Sequence, residues 1–97
     1  MIFLRIELVP RMIPFEIYSC LSLALQAEWL QREGCYLELI RRQGRLHIEL
    51  YALGSFYVEV YFDPHSGEPL SLSAFEDVSY LDPYIALIEI EMDSVMK

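Results

Sequence analysis

The chain has 97 residues, of which 55% are hydrophobic and 23% are charged, and its formal net charge is −8. This length fits one domain with a single modest core, and the high apolar content excludes an intrinsically disordered chain. The charge is uneven, because residues 46–97 contain ten acidic residues and no base except Lys97. An acidic surface repels phosphates, so we expect no nucleic-acid partner and instead a basic partner or simple solubility. Residues 1–97 are predicted to form one α+β domain.

The first eleven residues have two interpretations. Residues 2–9 alternate in a strand-like pattern and predict an additional N-terminal edge strand. Alternatively, Met12 is the first residue of the core fold and residues 1–11 are an extension before it. Because Arg5 and Glu7 interrupt the apolar stretch, it does not resemble a secretory leader, and we expect a cytoplasmic protein.

A long helix is predicted between Pro14 and Gly34. Proline is common in the first turn of a helix, and glycine often follows the last turn. Two apolar stripes recur at helical spacing and predict burial on two sides: Tyr18, Leu21, Leu25 and Trp29, and Leu23, Ala27 and Leu30. Polar residues such as Glu16 and Glu28 exclude a membrane span here.

The two cysteines do not suggest a metal site. Cys20 lies in the predicted helix and Cys35 at the start of the first predicted strand. Their separation matches neither a zinc motif nor a C-x-x-C pair, so we expect both thiols to be reduced and buried.

A four-stranded antiparallel meander is predicted between Cys35 and Phe75, because alternating stretches are separated by turn-forming residues. A two-residue turn at Gln43-Gly44 predicts three cross-strand pairs: Ile40 with His47, Glu38 with Glu49, and Tyr36 with Tyr51. The third turn follows Asp63 and predicts Val60 opposite Leu72.

The length of the second turn decides which side chains share a face. A two-residue turn sets Tyr51 opposite Val58 and mixes polar with apolar side chains. A three-residue turn over residues 53–55 pairs Tyr51 with Tyr57 and keeps the two classes apart, so we predict the three-residue turn. The inner face is then apolar and forms the core: Leu37, Leu39, Leu46, Ile48, Leu50, Val58, Val60, Phe62, Leu70 and Leu72.

The outer face carries rows of tyrosine and glutamate. It is the candidate interaction face: Tyr36, Glu38, His47, Glu49, Tyr51, Tyr57, Glu59 and Tyr61. Like charges directly opposite each other destabilise a sheet, so neighbouring carboxylates suggest either a basic partner or a solvated surface. Tyrosine is enriched at protein interfaces, although cross-strand aromatic pairing alone also explains its presence.

A short C-terminal helix is predicted from Asp82, which is a favourable cap, and Pro83, which suits the first helical position. We expect Tyr84, Ile85, Leu87 and Ile88 to point inward. Residues 88–92 also alternate like a strand that pairs with residues 2–8, which is the alternative for this segment.

The sequence favours a non-catalytic interaction module, expected to be a homodimer, whose acidic and tyrosine-rich face docks a basic protein as its inhibitor or chaperone. The alternative is a ligand-binding or metal-binding domain, or an enzyme, that uses His47, Glu49, Glu59 and Tyr61. No glycine-rich phosphate loop, nucleophile elbow or zinc spacing supports catalysis. We therefore expect no cofactor, no metal and no membrane contact.

Overall fold

The computed structural model describes residues 12–88, which form an α+β structure around a four-stranded antiparallel sheet with strand order β1-β2-β3-β4. The predicted meander between helices is confirmed. Within the described residues, no helix is long and apolar enough to cross a membrane. The strand or extension predicted in residues 1–11 lies outside the described residues. The elements are α1 (Phe15–Cys20), α2 (Leu23–Glu33), β1 (Cys35–Gln43), β2 (Leu46–Leu53), β3 (Phe56–Phe62), β4 (Pro69–Phe75), a 3-10 helix (Val78–Leu81) and α3, residues 82–88.

The prediction of one long N-terminal helix is wrong, because the chain is extended at Leu21 and Ser22, with ψ angles of 157° and 160°. The hydroxyl of Ser22 accepts a hydrogen bond from the backbone N–H of Leu25 at 3.3 Å and so caps the start of α2. Two further hydrogen bonds stabilise the extended connection between α1 and α2. The Tyr18 hydroxyl donates to the Gln26 carbonyl, and the Gln26 amide donates to the Tyr18 carbonyl, both at 2.8 Å.

The predicted register between β2 and β3 is also wrong. The turn has two residues, Gly54 and Ser55, and Tyr51 pairs with Val58 instead of Tyr57. Gly54 provides a positive φ of 61°, which suits a two-residue hairpin turn. The register mixes polar and apolar residues because helices cover parts of both sheet faces, so an apolar residue is favourable on either side.

The two sheet faces are named here after one residue of each. The Tyr51 face contains Tyr36, Ile40, Arg42, His47, Glu49, Tyr51, Leu53, Phe56, Val58, Val60, Phe62, Leu72 and Ala74. The Glu59 face contains Leu39, Arg41, Ile48, Leu50, Ala52, Tyr57, Glu59, Tyr61, Ser71, Ser73 and Phe75. The residues predicted to form one inner face are therefore divided between the two.

Each face has its own core. On the Tyr51 face, Tyr18 of α1 and Leu30 of α2 pack on buried strand residues, and the Tyr18 and Phe56 ring centroids are 5.4 Å apart. On the Glu59 face, Tyr84 of α3 packs against Leu50 and Phe75. Burial of these side chains from two sides stabilises a sheet that neither helical layer covers alone.

The short C-terminal helix is confirmed over residues 82–88, with two differences from the prediction. Asp82 already has helical angles, φ −52° and ψ −44°, because the chain enters α3 directly from the 3-10 helix. The carboxylate of Asp77, not of Asp82, caps this segment by accepting the Ser79 N–H at 2.9 Å. Of the side chains predicted to point inward, Tyr84 is buried, whereas Ile85, Leu87 and Ile88 are exposed. The alternative strand over 88–92 extends outside the described residues.

The predicted burial of the cysteines is wrong, since Cys20 and Cys35 are both free and exposed. Cys20 is the last residue of α1, next to the break in the helix, and Cys35 is the first residue of an edge strand. Neither position is enclosed by a second layer of structure.

Candidate functional site

The candidate interaction face predicted from the sequence is divided between both sides of the sheet. Tyr36, His47, Glu49 and Tyr51 lie on the Tyr51 face, whereas Tyr57, Glu59 and Tyr61 lie on the Glu59 face. Glu38 lies in an irregularity of β1 and has no partner in the β2 register. The cluster proposed for metal or ligand binding is separated in the same way, because His47 and Glu49 point away from Glu59 and Tyr61.

The irregularity at Glu38 shifts the register between β1 and β2. The predicted turn at Gln43-Gly44 is wrong, because the turn consists of Gly44 and Arg45, and Ile40 therefore pairs with Glu49 and not with His47. Two additional residues of β1 before Leu39 then offset this shift, so Tyr36 pairs with Tyr51, as predicted. Glu38 has a φ of 58°, a conformation that is costly for a residue with a side chain. Glu38 is exposed and does not join a row of carboxylates across the strands.

A polar and aromatic row remains together on the Tyr51 face. The Glu49 carboxylate lies 3.0 Å from His47 Nε2 and accepts a long hydrogen bond of 3.5 Å from the Tyr51 hydroxyl. The Tyr36 and Tyr51 ring centroids are 5.0 Å apart. Partial burial and the nearby Glu49 carboxylate raise the pKa of both tyrosines, so both stay neutral hydrogen-bond donors at neutral pH.

A groove lies between α2 and the uncovered part of the Tyr51 face. Its volume is about 250 Å³, and we call it the α2 groove. Its wall on α2 includes Ala27, Leu30 and Gln31, and its floor takes one residue from each strand: Tyr36, Tyr51, Val60 and Leu72. Beyond the groove, Ile40 is exposed and Phe62 is half-buried, so apolar sheet surface continues past the edge of the helical layer.

A second, more polar depression of about 360 Å³ lies next to His47 and is bounded partly by the β3–β4 loop. Asp63 on this loop accepts the backbone N–H groups of His65 at 2.7 Å and Ser66 at 3.4 Å. This carboxylate therefore holds the turn, in agreement with the turn predicted there. Among residues 12–88, no three His, Cys, Asp or Glu side chains are grouped as ligands for a metal ion.

A buried ionic cluster lies on the opposite face and was missed by the sequence analysis. Glu59 is only 7% exposed. Its Oε2 accepts hydrogen bonds from Arg41 Nε at 2.8 Å and from the Tyr84 hydroxyl at 2.6 Å. Its Oε1 accepts a longer bond of 3.4 Å from the Tyr61 hydroxyl. The sequence contained one signal for this cluster, since Arg41 continues the alternation of Leu37 and Leu39 and must point to the same side.

The Glu59 cluster, which consists of Glu59, Arg41, Tyr61 and Tyr84, stabilises the packing of α3 on the sheet. Burial and the Glu59 carboxylate hold the pKa of Tyr84 well above its usual value, so its hydroxyl stays a donor. The hydrogen bond to Glu59 also raises the pKa of Arg41. The Arg41 guanidinium lies 5.8 Å from the centroid of the Tyr84 ring, which adds a cation–π contact. Each polar group thus stabilises another, and together they hold α3 against the sheet.

Comparisons with known proteins do not provide a relative. No family model matches the chain, and no curated protein or solved structure is significantly similar to it. Function must therefore be inferred from the residues themselves.

Proposed function

We propose that the protein is a non-catalytic interaction module that docks a partner protein on the open part of the Tyr51 face. The main support is the Tyr36–Tyr51 pair on the floor of the α2 groove, whose ring centroids are 5.0 Å apart and in which Tyr36 remains 39% exposed. Tyrosines in such positions offer a large and rigid contact area together with a polar tip. An apolar groove with aromatic walls is a typical place for a partner side chain to bind.

A basic partner fits the charge of the protein. The net charge is −8, and the side chain of Glu49, which lies next to the α2 groove on the same face, keeps 21% of its area exposed. A carboxylate at the rim of an apolar groove attracts lysine or arginine and increases the rate of association. In its specific form, the proposal is an inhibitor or chaperone of a basic protein. The same charge balance supports the prediction that nucleic acid is not the partner.

A ligand-binding or enzymatic role has weaker support. It required His47, Glu49, Glu59 and Tyr61 to converge, and the register directs the first two away from the other two. The predicted homodimer and the cytoplasmic location remain predictions. Native mass spectrometry of the untagged protein tests the dimer directly, because it reports the mass of the intact assembly.

Site-specific photo-crosslinking in the native host tests the docking surface. We expect p-benzoylphenylalanine at Tyr36 to form a covalent adduct with a partner protein under ultraviolet light. The matched control carries the same probe at Tyr80, which is 60% exposed but does not belong to the sheet. Equal adducts from both positions, or none from Tyr36, would contradict the proposal.

A charge reversal at Glu49 then tests whether the partner is basic. We expect Glu49→Lys to reduce the Tyr36 adduct by about tenfold, because the substitution replaces attraction of a basic partner with repulsion next to the groove. Glu68→Lys is the control, since it makes the same change of charge in the exposed β3–β4 loop. If both variants cross-link like the wild type, then Glu49 does not contact the partner.

A further inference from the structure

We infer that the segment docked on the Tyr51 face is an amphipathic helix with lysine or arginine beside its apolar stripe, lying next to α2 in the α2 groove. The inference rests on the proposed function and names the class of partner that the surface accepts. It follows from the direction of the groove, from the hydrogen bonding of the sheet and from the distribution of charge.

The groove crosses the strands instead of running along one of them. Tyr36, Tyr51, Val60 and Leu72 belong to β1, β2, β3 and β4 in that order, and Ala27, Leu30 and Gln31 lie along one side of α2. Three inter-strand steps of about 4.8 Å span about 14 Å. A helix with a rise of 1.5 Å per residue covers this distance with about ten residues, or nearly three turns. A segment of ordinary helix length therefore fits the groove.

The backbone of the sheet favours a helix over an extended segment. The strands that form the groove floor are hydrogen-bonded to their neighbours across the sheet, so the face does not offer a free edge to an added strand. An extended segment laid across the face would lose the hydration of its N–H and C=O groups without gaining partners. A helix satisfies these groups internally and can bury an apolar stripe, as α2 does beside it.

The surface also specifies the side chains of the docked helix. Half-buried Tyr51 and Leu72 in the groove favour an apolar stripe, and exposed Ile40 extends the apolar surface beyond the groove. Glu49 is the carboxylate on this part of the sheet, so a lysine or arginine next to the stripe can pair with it. Arg42 lies two positions beyond Ile40 on the same face and disfavours a base at that end. The partner's positive charge is therefore expected at the Glu49 side of the stripe.

A second copy of this chain fits the groove less well than a foreign basic helix. The described helices α1, α2 and α3 contain four acidic residues: Glu16, Glu28, Glu33 and Asp82. Within those helices the only base is Arg32, and it lies 3.7 Å from Glu28 in an intrahelical ion pair. Placing one of these helices against Glu49 brings like charges together, which disfavours self-docking at this surface.

Mapping the cross-linked segment of the partner tests the inference. We expect probes at Gln31, on the α2 wall of the groove, and at Tyr36, on its floor, to cross-link the same short segment of one partner. Mass spectrometry of the adduct identifies that segment. The expected segment has apolar residues at helical spacing and an excess of lysine and arginine. A probe at Leu25, which is exposed on the opposite side of α2, is the matched control and should not reach it.

A synthetic peptide of the mapped segment completes the test. NMR titration should move the resonances around Tyr36 and Gln31, and circular dichroism should show added helix on binding. We expect Ala27→Phe, which fills the groove, to weaken binding by about tenfold, whereas Leu25→Phe on the opposite, exposed side of α2 should not change it. Thermal unfolding of both variants distinguishes a filled groove from a misfolded protein.

The outcomes that contradict the helix inference are distinguishable from those that also contradict the docking surface. An extended or acidic segment, or a peptide of this chain itself, overturns the inference but leaves the Tyr51 face as a docking surface. Absence of an adduct from both Gln31 and Tyr36 overturns the inference and the proposed function together. Binding that is unaffected by Ala27→Phe shows that the segment lies outside the groove and also overturns the inference.

Discussion

Two glutamates in similar sequence contexts have opposite environments on the two sides of one sheet. Glu49 and Glu59 each lie inside a strand, between apolar neighbours, with a tyrosine two residues later. Glu59 is buried under α3 and is bonded by Arg41 and Tyr84. Glu49 is partly open to solvent, lies 3.0 Å from His47 Nε2 and accepts a long bond of 3.5 Å from the Tyr51 hydroxyl. The environment of each carboxylate depends on which helix packs above it, not on the local alternation of residues.

The two environments imply different energetic roles. Moving a carboxylate out of water costs several kcal/mol unless charge and hydrogen bonds offset it, so Glu59 depends on its partners. Glu49 keeps 21% of its side-chain area exposed, compared with 9% for Glu59, so its contribution to folding is expected to be smaller and more of its charge is available to a partner. The carboxylate of Glu59 is therefore expected to stabilise the fold, and that of Glu49 to recognise a partner.

Paired substitutions at the two glutamates test this comparison most strongly. We expect Glu59→Gln to lower the free energy of unfolding by about 3 kcal/mol, because it leaves the partly buried Arg41 without its counter-ion. Glu49→Gln should change it by less than about 0.5 kcal/mol, as is usual for a partly solvated group. Urea denaturation followed by circular dichroism measures both values.

The two variants are matched controls, because each replaces one carboxylate by an amide of the same shape. If Glu49→Gln destabilises the protein as much as Glu59→Gln, then the polar row on the Tyr51 face is structural. That result would remove the reason to regard this face as a recognition surface.

A smaller effect is expected from deleting one hydroxyl on each face. Tyr84→Phe removes the 2.6 Å bond to Glu59 but keeps the ring in its buried position, and we expect a loss of about 1–2 kcal/mol. Tyr36→Phe removes a hydroxyl from the open groove and should leave stability nearly unchanged. Urea denaturation of both variants measures the difference. Equal losses would show that α3 does not depend on its bond to Glu59.

The sequence predicted the elements of the fold better than their relation to one another. The glycine turns and the strand alternation identified all four strands, and Asp82-Pro83 indicated the last helix. Ser22 was a capping signal inside the predicted long helix, but the apolar periodicity on both sides concealed it. The break depends on the reciprocal bonds between Tyr18 and Gln26, which are tertiary in origin and not visible as a local pattern.

The residues of the candidate interaction face lie on two sides of the sheet because one assumption about the sheet was wrong. A sheet with a single buried face requires the three-residue turn, which separates Tyr51 from Val58. Once helices cover parts of both faces, a two-residue turn at Gly54 is favourable, and the tyrosine and glutamate rows divide. Two of the predicted pairs are confirmed, Val60 with Leu72 and Tyr36 with Tyr51; the second is kept because the two additional residues near Glu38 offset the displaced turn at Gly44-Arg45.

The smallest expected effect is a difference in alkaline stability that also reports on the Glu59 face. Burial raises the pKa of Tyr18 to about 12, and burial together with Glu59 raises the pKa of Tyr84 from its usual value of 10.0. In the unfolded chain both tyrosines ionise near pH 10, so their stabilising contribution is complete below pH 10 and is lost as the pH rises towards their folded values. We therefore expect the free energy of unfolding to fall above pH 10, and Tyr84→Phe to reduce the slope by about 1 kcal/mol per pH unit. Urea denaturation at several pH values from 9 to about 11.5 measures the slope. An unchanged slope would show that the hydroxyl of Tyr84 is accessible to water, and hence that α3 does not enclose Glu59 in solution.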